Sequence, residues 1–174
     1  MCCARARIHW IPEIKGLENA GYLTAHTLFE LKTIPESLAI IGSDSFGLEA
    51  AQAFARLGCK VSLIVQSSHL LPIFDPELTI LLAKILTEEG VELHLGVEVE
   101  RVKKEGRLRL LFIRQRVGDS AKTNLCHGNA SLLATVDQIL IATGSIPNLE
   151  DLNLQKANVK VTKEGVRVDE FLHT

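Results

Sequence analysis

Two glycines, spaced as in a phosphate-binding turn, stand between an apolar run and a helical pattern of apolar residues. The run 38–41 ends at Gly42, and Gly47 follows after the intervening residues Ser43, Asp44, Ser45 and Phe46. In such a strand–turn–helix the first glycine allows the bend, the second admits a pyrophosphate, and the third allows close helix–strand packing. Free N–H groups at the helix N-terminus then hold the phosphates. The spacing predicts a dinucleotide-binding turn, with Asp44 in place of the second glycine.

Asp44 leaves three arrangements open. A carboxylate about 4 Å from a phosphate costs about 1 kcal/mol in bulk water and about 4 kcal/mol at a surface-like dielectric. The side chain therefore either points away while its N–H still serves, or it weakens binding. In the third arrangement Asp44 simply caps the helix. Glu49, in the first turns of the same helix, either interacts favourably with the helix dipole or faces the far end of a cofactor.

Polar residues follow the next predicted strand, at the position that selects between dinucleotides. An acidic residue there binds the ribose hydroxyls of NAD, and a basic residue admits the extra phosphate of NADP. Here Gln66, Ser67, Ser68 and His69 follow the strand 61–65. Because no carboxylate is present, and hydroxyls and an imidazole can bond a phosphate, the loop favours NADP(H). The alternative is an ordinary polar loop.

Strand and helix patterns alternate around these residues. Runs 38–41 and 61–65 are apolar without alternation, which is typical of parallel strands buried on both faces. The helix between them completes a right-handed βαβ unit. Asp75 and Pro76 begin a second helix, 76–89, in which we expect five residues to face inward, namely Leu78, Leu81, Leu82, Ile85 and Leu86.

The period then changes to that of an antiparallel meander. After a third strand at 91–95, the meander strands are predicted at 97–103, 107–117 and 131–136, with a polar link at 118–130. A closing strand, 139–142, ends at Thr143 and Gly144. We expect residues 4–36 to form a lead-in with no core of its own and one short helix, 25–31. The fold class predicted is α/β, a Rossmann-like parallel sheet flanked by helices with an antiparallel β-meander crossover.

Composition excludes several classes of function. The chain has 174 residues and a net charge of −2, and its 19 basic residues are not gathered into a patch, so nucleic acid is not an expected partner. No apolar run approaches the ~20 residues of a membrane span, and the N-terminus lacks a secretory core. The cysteines (Cys2, Cys3, Cys59 and Cys126) have no metal-ligand or Cys-x-x-Cys spacing. We predict a cytoplasmic protein without a metal site, in which Cys59 is a buried hydrophobe.

Residues 42–49 and 139–148 together resemble one family. They are similar to the pyridine-nucleotide domain of the FAD-dependent pyridine nucleotide-disulfide oxidoreductases, which include dihydrolipoamide dehydrogenase, glutathione reductase and mercuric reductase. The Ser43–Asp44 pair and the 66–68 loop are most similar to the mercuric reductase branch. The resemblance implies an NAD(P)-binding domain at 34–149. Residues 1–33 and 150–174 would connect it to a FAD domain that this chain lacks.

The resemblance also implies roles for individual residues. Residues 42–47 fall at the pyrophosphate and Glu49 toward the nicotinamide end. Gln66, Ser67 and Ser68 fall at the adenosine ribose, and Val99 falls at the adenine. Ala142, Thr143 and Gly144 lie near the nicotinamide and the domain boundary.

In the whole enzyme, the resemblance implies, hydride passes from NAD(P)H to FAD and then to a disulfide or another acceptor. The parent would be a homodimer, and the partners of this chain would be the dinucleotide and the FAD and dimerisation domains. No catalytic residue is expected in this chain, which should not turn over alone. The alternative is a stand-alone nucleotide-binding or interaction module with a degenerate fingerprint and no redox activity.

Overall fold

The structure is a computed structural model that describes residues 7–115, 131–149, 152–154, 156–157, 159–162, 165–171 and 173–174. The chain divides into two compact units. The larger unit is Ile11–Thr143, and the smaller unit combines Met1–Trp10 with Gly144–Thr174. The predicted link at 118–130, the last two residues of the strand predicted at 107–117, and Cys2, Cys3 and Cys126 lie outside the described residues.

The elements follow one another in an order close to the predicted one. The described strands are β1 (Arg7–His9), β2 (Ser37–Ile41), β3 (Lys60–Val65), β4 (Glu92–Leu95), β5 (Val97–Glu105), β6 (Leu108–Gln115), β7 (Ser131–Val136), β8 (Gln138–Ile141), β9 (Ser145–Pro147), β10 (Val161–Thr162) and β11 (Gly165–Val166). The described helices are α1 (Leu17–Ala20), α2 (Ser45–Arg56) and α3 (Pro76–Glu88), and a 3-10 turn covers Leu28–Glu30.

The larger unit contains a four-stranded parallel sheet and a three-stranded antiparallel sheet. The parallel strands run in the order β4-β3-β2-β8, and the antiparallel strands in the order β5-β6-β7. Leu38 of the central strand β2 is paired with Val61 of β3 on one side and with Gln138 of β8 on the other. The antiparallel sheet is the crossover between β4 and β8. The predicted α/β fold class is confirmed.

Two apolar clusters cover the two faces of the parallel sheet. Leu38 and Ile40 of β2 pack with Leu48 and Ala51 of α2. The alternate residues of β2, which point the other way, pack with the antiparallel sheet: Ala39 and Ile41 share a cluster with residues that include Val99, Leu111 and Ile113. Burial on both faces explains why these strands are apolar without alternation.

The smaller unit contains two short antiparallel pairs. β1 pairs with β9, with Ile8 opposite Ile146, and the Trp10 N–H donates to the Gly144 carbonyl at 3.1 Å. β10 and β11, each of two residues, pair antiparallel, with Val161 opposite Val166. Among the described residues, no helix is both long and apolar enough to cross a bilayer.

The lead-in to β2 differs from its prediction. In place of a helix at 25–31 the structure has the 3-10 turn Leu28–Glu30, and the helix α1 was not predicted. Leu17, Ala20 and Leu28 pack in the two clusters that cover the parallel sheet and not in a separate core. A four-residue helix is too short to show a hydrophobic period.

The packed face of α3 also differs from its prediction. Thr79 and Leu86 are buried, but Leu78, Leu81 and Ile85 are 64%, 53% and 37% exposed. Because α3 carries apolar residues around most of its circumference, periodicity does not decide which face packs on the sheet. The face that packs includes the smaller residues Thr79 and Ala83.

Candidate functional site

The turn after β2 requires glycine at its first position. Gly42 has a φ of +105°, in the region that L side chains rarely adopt. A Cβ built on Gly42 would lie 2.2 Å from the Ala142 carbonyl oxygen and 2.7 Å from the Thr143 nitrogen. The Gly42 N–H donates to the Ile64 carbonyl at 2.9 Å. Gly42 is therefore fixed between the ends of β3 and β8.

Gly47 allows the first turn of α2 to pack against the end of β8. A Cβ at this position would lie 2.5 Å from the Ala142 Cβ, closer than any real carbon–carbon contact. Gly47 and Ala142 are both buried. This geometry agrees with the packing role that the motif assigns to its third glycine.

Asp44 is the N-cap of α2, as in the third of its predicted arrangements. Its Oδ1 accepts a hydrogen bond from the Gly47 N–H at 2.7 Å, and its own N–H donates to the Ala142 carbonyl at 3.1 Å. The carboxylate is thus stabilised by the positive end of the helix dipole. Two N–H groups that could bind an anion, those of Asp44 and Gly47, are already used within the protein.

Two N–H groups remain at the start of α2. Ser45 and Phe46 are the first two residues of the helix, where N–H groups have no acceptor in the preceding turn. Ser45 is exposed, and Phe46 is half-buried against Phe29, with ring centroids 6.1 Å apart and planes at 67°. Phe29 is itself 80% exposed, and nothing in the sequence pattern indicated this aromatic pair.

Hydroxyl groups lie at the carboxyl end of β3, the strand beside β2. Ser68 Oγ and His69 Nδ1 share a hydrogen bond of 2.6 Å, and the His69 N–H donates to Ser67 Oγ at 3.3 Å. The Ser67 carbonyl accepts from the Gly96 N–H at 2.9 Å, which holds the loop to the residue after β4. Gln66 is exposed. Because β2 and β3 are parallel, this loop and the Gly42 turn are at the same edge of the sheet.

The other predicted site residues differ in their exposure and in the part of the fold where they lie. The Val99 side chain is only 6% exposed and belongs to the core, so a ligand could reach only its backbone, next to a β-bulge between Val99 and Arg101. Glu49 is exposed on α2, and Thr143 is half-buried. Gly144 belongs to the smaller unit and has a φ of +100°. Of the predicted site residues, Gly42 and Gly47 both lie against Ala142. Asp44 is hydrogen-bonded to Gly47 and to the Ala142 carbonyl.

A cavity of about 570 Å³ opens elsewhere on the larger unit. Its lining includes Glu36, which precedes β2, and Asp137, which precedes β8. The cavity is therefore at the amino ends of the parallel strands, whereas ligands of open α/β sheets bind at the carboxyl ends. It does not coincide with the predicted site.

Three further residues, Cys59, His94 and Arg109, lie in environments that the sequence indicated only in part or not at all. Burial, and to a smaller extent Asp137, raises the pKa of the Cys59 thiol to about 11, in keeping with the predicted buried hydrophobe. Burial lowers the pKa of His94 in β4 against a smaller raising effect of Glu92. Arg109 donates to the carbonyls of Ala20, Gly21, Arg107 and Asp137, and so binds three parts of the larger unit: the end of α1, the β5–β6 turn and the residue before β8.

The architecture is that of flavoprotein disulfide reductases. The Cu(II) complex of the HOCl-induced flavoprotein disulfide reductase RclA from Escherichia coli superposes with a TM-score of 0.79 at 29% identity. The match covers 97% of this chain and 36% of RclA. Residues 4–174 also match the pyridine nucleotide-disulphide oxidoreductase family. The chain belongs to this family, and the predicted resemblance is confirmed at that level.

Curated relatives of the chain are oxidoreductases of greater length. The mercuric reductase of Lysinibacillus sphaericus is 36% identical over 165 residues, which are 94% of this chain and 28% of that protein. The dihydrolipoyl dehydrogenase of Bacillus subtilis strain 168 is 31% identical over 153 residues, which are 87% of this chain and 30% of that protein. The chain therefore spans about a third or less of the length of these relatives.

Proposed function

We propose that this chain is the NAD(P)H-binding domain of an FAD-dependent pyridine nucleotide-disulfide oxidoreductase. In the parent enzyme the domain would deliver the hydride of bound NAD(P)H to FAD. The observation that carries the proposal is the turn 42–47. Its two glycines leave no room for a side chain beside Ala142, and it ends at a helix N-terminus beside the central strand.

The pyrophosphate would lie against residues 43–46. The N–H groups of Ser45 and Phe46 are the donors that α2 still offers, and the positive end of the helix dipole favours an anion there. The Asp44 carboxylate remains close to this place because it is bonded to Gly47. We therefore expect the turn to bind a dinucleotide, but more weakly than a turn with glycine in the second position.

The adenosine end would lie along the loop after β3. Gln66, Ser67 and Ser68 would contact the ribose, and hydroxyl and imidazole groups with no carboxylate beside them favour the 2′-phosphate of NADPH. Val99 would contribute backbone at the adenine, because its side chain is buried. Glu49, Ala142, Thr143 and Gly144 are assigned to the nicotinamide end by family resemblance.

The proposal extends to the parent protein. Residues 34–149 would be the NAD(P)-binding domain, and residues 1–33 and 150–174 the segments that connect it to a FAD domain. The parent would be a homodimer, as the family resemblance implies, and cytoplasmic, as the spacing of the cysteines indicates. Identification of a FAD fingerprint and a Cys-x-x-x-x-Cys motif in the reading frame upstream would test this organisation directly.

Titration of the chain with NADPH and with NADH tests the binding role. Nicotinamide fluorescence reports binding without any need for turnover. We expect saturable binding of both dinucleotides, with NADPH bound more tightly. The binding role is wrong if neither dinucleotide binds at about millimolar concentration, which corresponds to a binding free energy weaker than about −4 kcal/mol. Tighter binding of NADH than of NADPH would overturn only the predicted preference for NADPH, and the binding role would stand.

A second candidate function is a stand-alone module without redox activity. The observation in its favour is the hydrogen bond between Asp44 and Gly47, since this carboxylate already fills part of the anion-binding position. If this candidate is correct, the native chain binds no dinucleotide. Binding that appears only in an Asp44→Asn variant would show that this one charge has disabled the turn.

A further inference from the structure

Phe29 is an exposed aromatic residue beside the first turn of α2. Its ring meets the Phe46 ring edge to face, and the rest of its surface is in solvent, since the residue is 80% exposed. Side chains on a helix tilt toward the helix N-terminus, so the Phe46 ring leans toward the turn 43–45. Phe29 therefore lies beside the place where the pyrophosphate is proposed to bind.

The path of the lead-in puts Phe29 on the β8 side of this turn. The Leu23 N–H donates to the Ile139 carbonyl at 2.7 Å, and the Ile141 N–H donates to the Leu23 carbonyl at 2.9 Å. Leu23 thus lies along the edge of β8 that does not pair with β2. Because this bridge is parallel, the chain leaves Leu23 toward the carboxyl ends of the strands and then returns to the amino end of β2 at Ser37. Phe29 lies on this return path.

A dinucleotide that crosses the turn has its two halves on opposite sides of β2. The loop after β3, where the adenosine is proposed to lie, is on one side, so the nicotinamide half lies on the side of β8 and Phe29. Glu49 agrees with this direction. Phe46 and Glu49 are three residues apart on α2 and are therefore neighbours on its surface, and the family resemblance assigns Glu49 to the nicotinamide end.

We propose that Phe29 contacts the nicotinamide ring of the bound dinucleotide. The inference rests on the proposed function and adds a residue to which neither the glycine spacing nor the family resemblance gives a role. Leu28, the neighbour of Phe29 in the 3-10 turn, is buried in the same apolar cluster as Ala142, which holds Phe29 in position. Because most of the Phe29 ring is in solvent, a second ring can pack against it without displacing a protein group.

Two ligands that differ only in the nicotinamide test this contact. ADP-ribose 2′-phosphate has the adenosine, pyrophosphate and ribose groups of NADPH but no nicotinamide ring. We expect Phe29→Ala to weaken NADPH binding by about two- to tenfold, the usual range for an aromatic pair, and to change the binding of ADP-ribose 2′-phosphate by less than about twofold. Phe29→Tyr retains the ring and should bind NADPH as the native chain does. Nicotinamide fluorescence measures NADPH directly and the second ligand by displacement.

Ile34→Ala is the matched control. Ile34 is an exposed apolar residue of the same lead-in, but it lines the cavity at the amino ends of the parallel strands. Its substitution should leave the affinity for NADPH unchanged, and circular dichroism verifies that each variant is folded.

The outcomes separate this contact from the proposed function. Equal weakening of both ligands by Phe29→Ala overturns the inference, because it would mean that the turn 43–46 is disturbed rather than that a contact with the nicotinamide ring is lost. Unchanged NADPH binding in Phe29→Ala, or an equal loss in Ile34→Ala, also overturns the inference and leaves the proposed function standing. If the native chain binds neither ligand, the proposed function and this inference are both wrong.

Discussion

Asp44 uses its carboxylate for a hydrogen bond to Gly47 that a bound pyrophosphate would compete for. The same side chain thus stabilises α2 and opposes an anion at its N-terminus. A serine or asparagine in this position would retain the cap without the charge. The two effects of Asp44 can therefore be separated by substitution.

We expect Asp44→Asn to tighten NADPH binding, because it removes the charge and keeps an acceptor for the Gly47 N–H. The gain should be roughly 1–4 kcal/mol, depending on how well solvent screens the carboxylate. Asp44→Gly should tighten binding by a similar amount and lower the free energy of unfolding by a few tenths of a kcal/mol, about the usual loss when a cap is replaced by glycine. Nicotinamide fluorescence and urea unfolding measure the two quantities. Unchanged affinity in both variants would show that the carboxylate does not oppose the ligand.

Gly42 and Gly58 provide a matched pair for the second prediction. Both have positive φ, but a Cβ at Gly58 meets nothing within 4 Å, whereas one at Gly42 meets the Ala142 backbone. Gly58→Ala should cost about 1–2 kcal/mol of stability from backbone strain alone. Gly42→Ala should cost about 3 kcal/mol or more, because the end of β8 must also move. Urea unfolding compares them, and equal losses would contradict the close approach of β2 and β8.

At the scale of elements, β4 is the edge strand that carries a partly buried histidine, His94. His94 Nε2 lies 3.5 Å from Glu92 Oε1 and has no hydrogen-bond partner among the described residues. Burial lowers the pKa of His94 from its ordinary value of 6.5. The unfolded chain therefore binds this proton at a higher pH than the folded chain does.

The third prediction follows from that difference in proton binding. The stability contribution of neutral His94 is fully present above its unfolded pKa and is lost as the pH falls through the lower pKa of the folded state. We expect the chain to lose stability between about pH 7.5 and about pH 5. His94→Gln should lose less over the same range. Urea unfolding at both pH values measures the two losses, and identical losses would exclude His94 as their source.

The elements that the sequence predicted well are those with a clear pattern. Strands β2, β3 and β8 are apolar runs bounded by glycine or polar residues, and both long helices begin at an aspartate cap. The outer face of α3 was misassigned because both of its faces are apolar. At the site, the glycine turn followed from spacing, whereas the burial of Val99 follows from the packing of β5 with residues of the parallel sheet such as Ala39 and Ile41.

Arg109 marks another limit of sequence reasoning. Its guanidinium satisfies carbonyls of α1, of the β5–β6 turn and of the residue before β8. Because these acceptors are up to 89 residues away along the chain, no short window of sequence contains the pattern. The same reason applies to the bond between Ser37 Oγ and the Asp137 carboxylate.

At the scale of the whole molecule, the chain corresponds to about a third of the length of the flavoenzymes that it matches. The proposed role is therefore binding without turnover. We predict that the chain alone, with NADPH and added FAD, oxidises NADPH no faster than a buffer control, while nicotinamide fluorescence still reports binding. Oxidation that is faster than the control and is abolished by Gly42→Ala would mean that the chain carries catalytic groups of its own.

The central position of β2 has a consequence for how the molecule reaches its fold. β2 pairs with β3 soon after it in the chain, but its other neighbour, β8, is 100 residues further on, as the Ser37–Asp137 bonds show. Contacts between such distant residues are slow to form because a long loop must close first. During synthesis, β2 and β3 with α2 can associate early, while one edge of β2 waits for residues 138–141. A nascent chain that stops short of β8 would leave that apolar edge open to pairing with other chains.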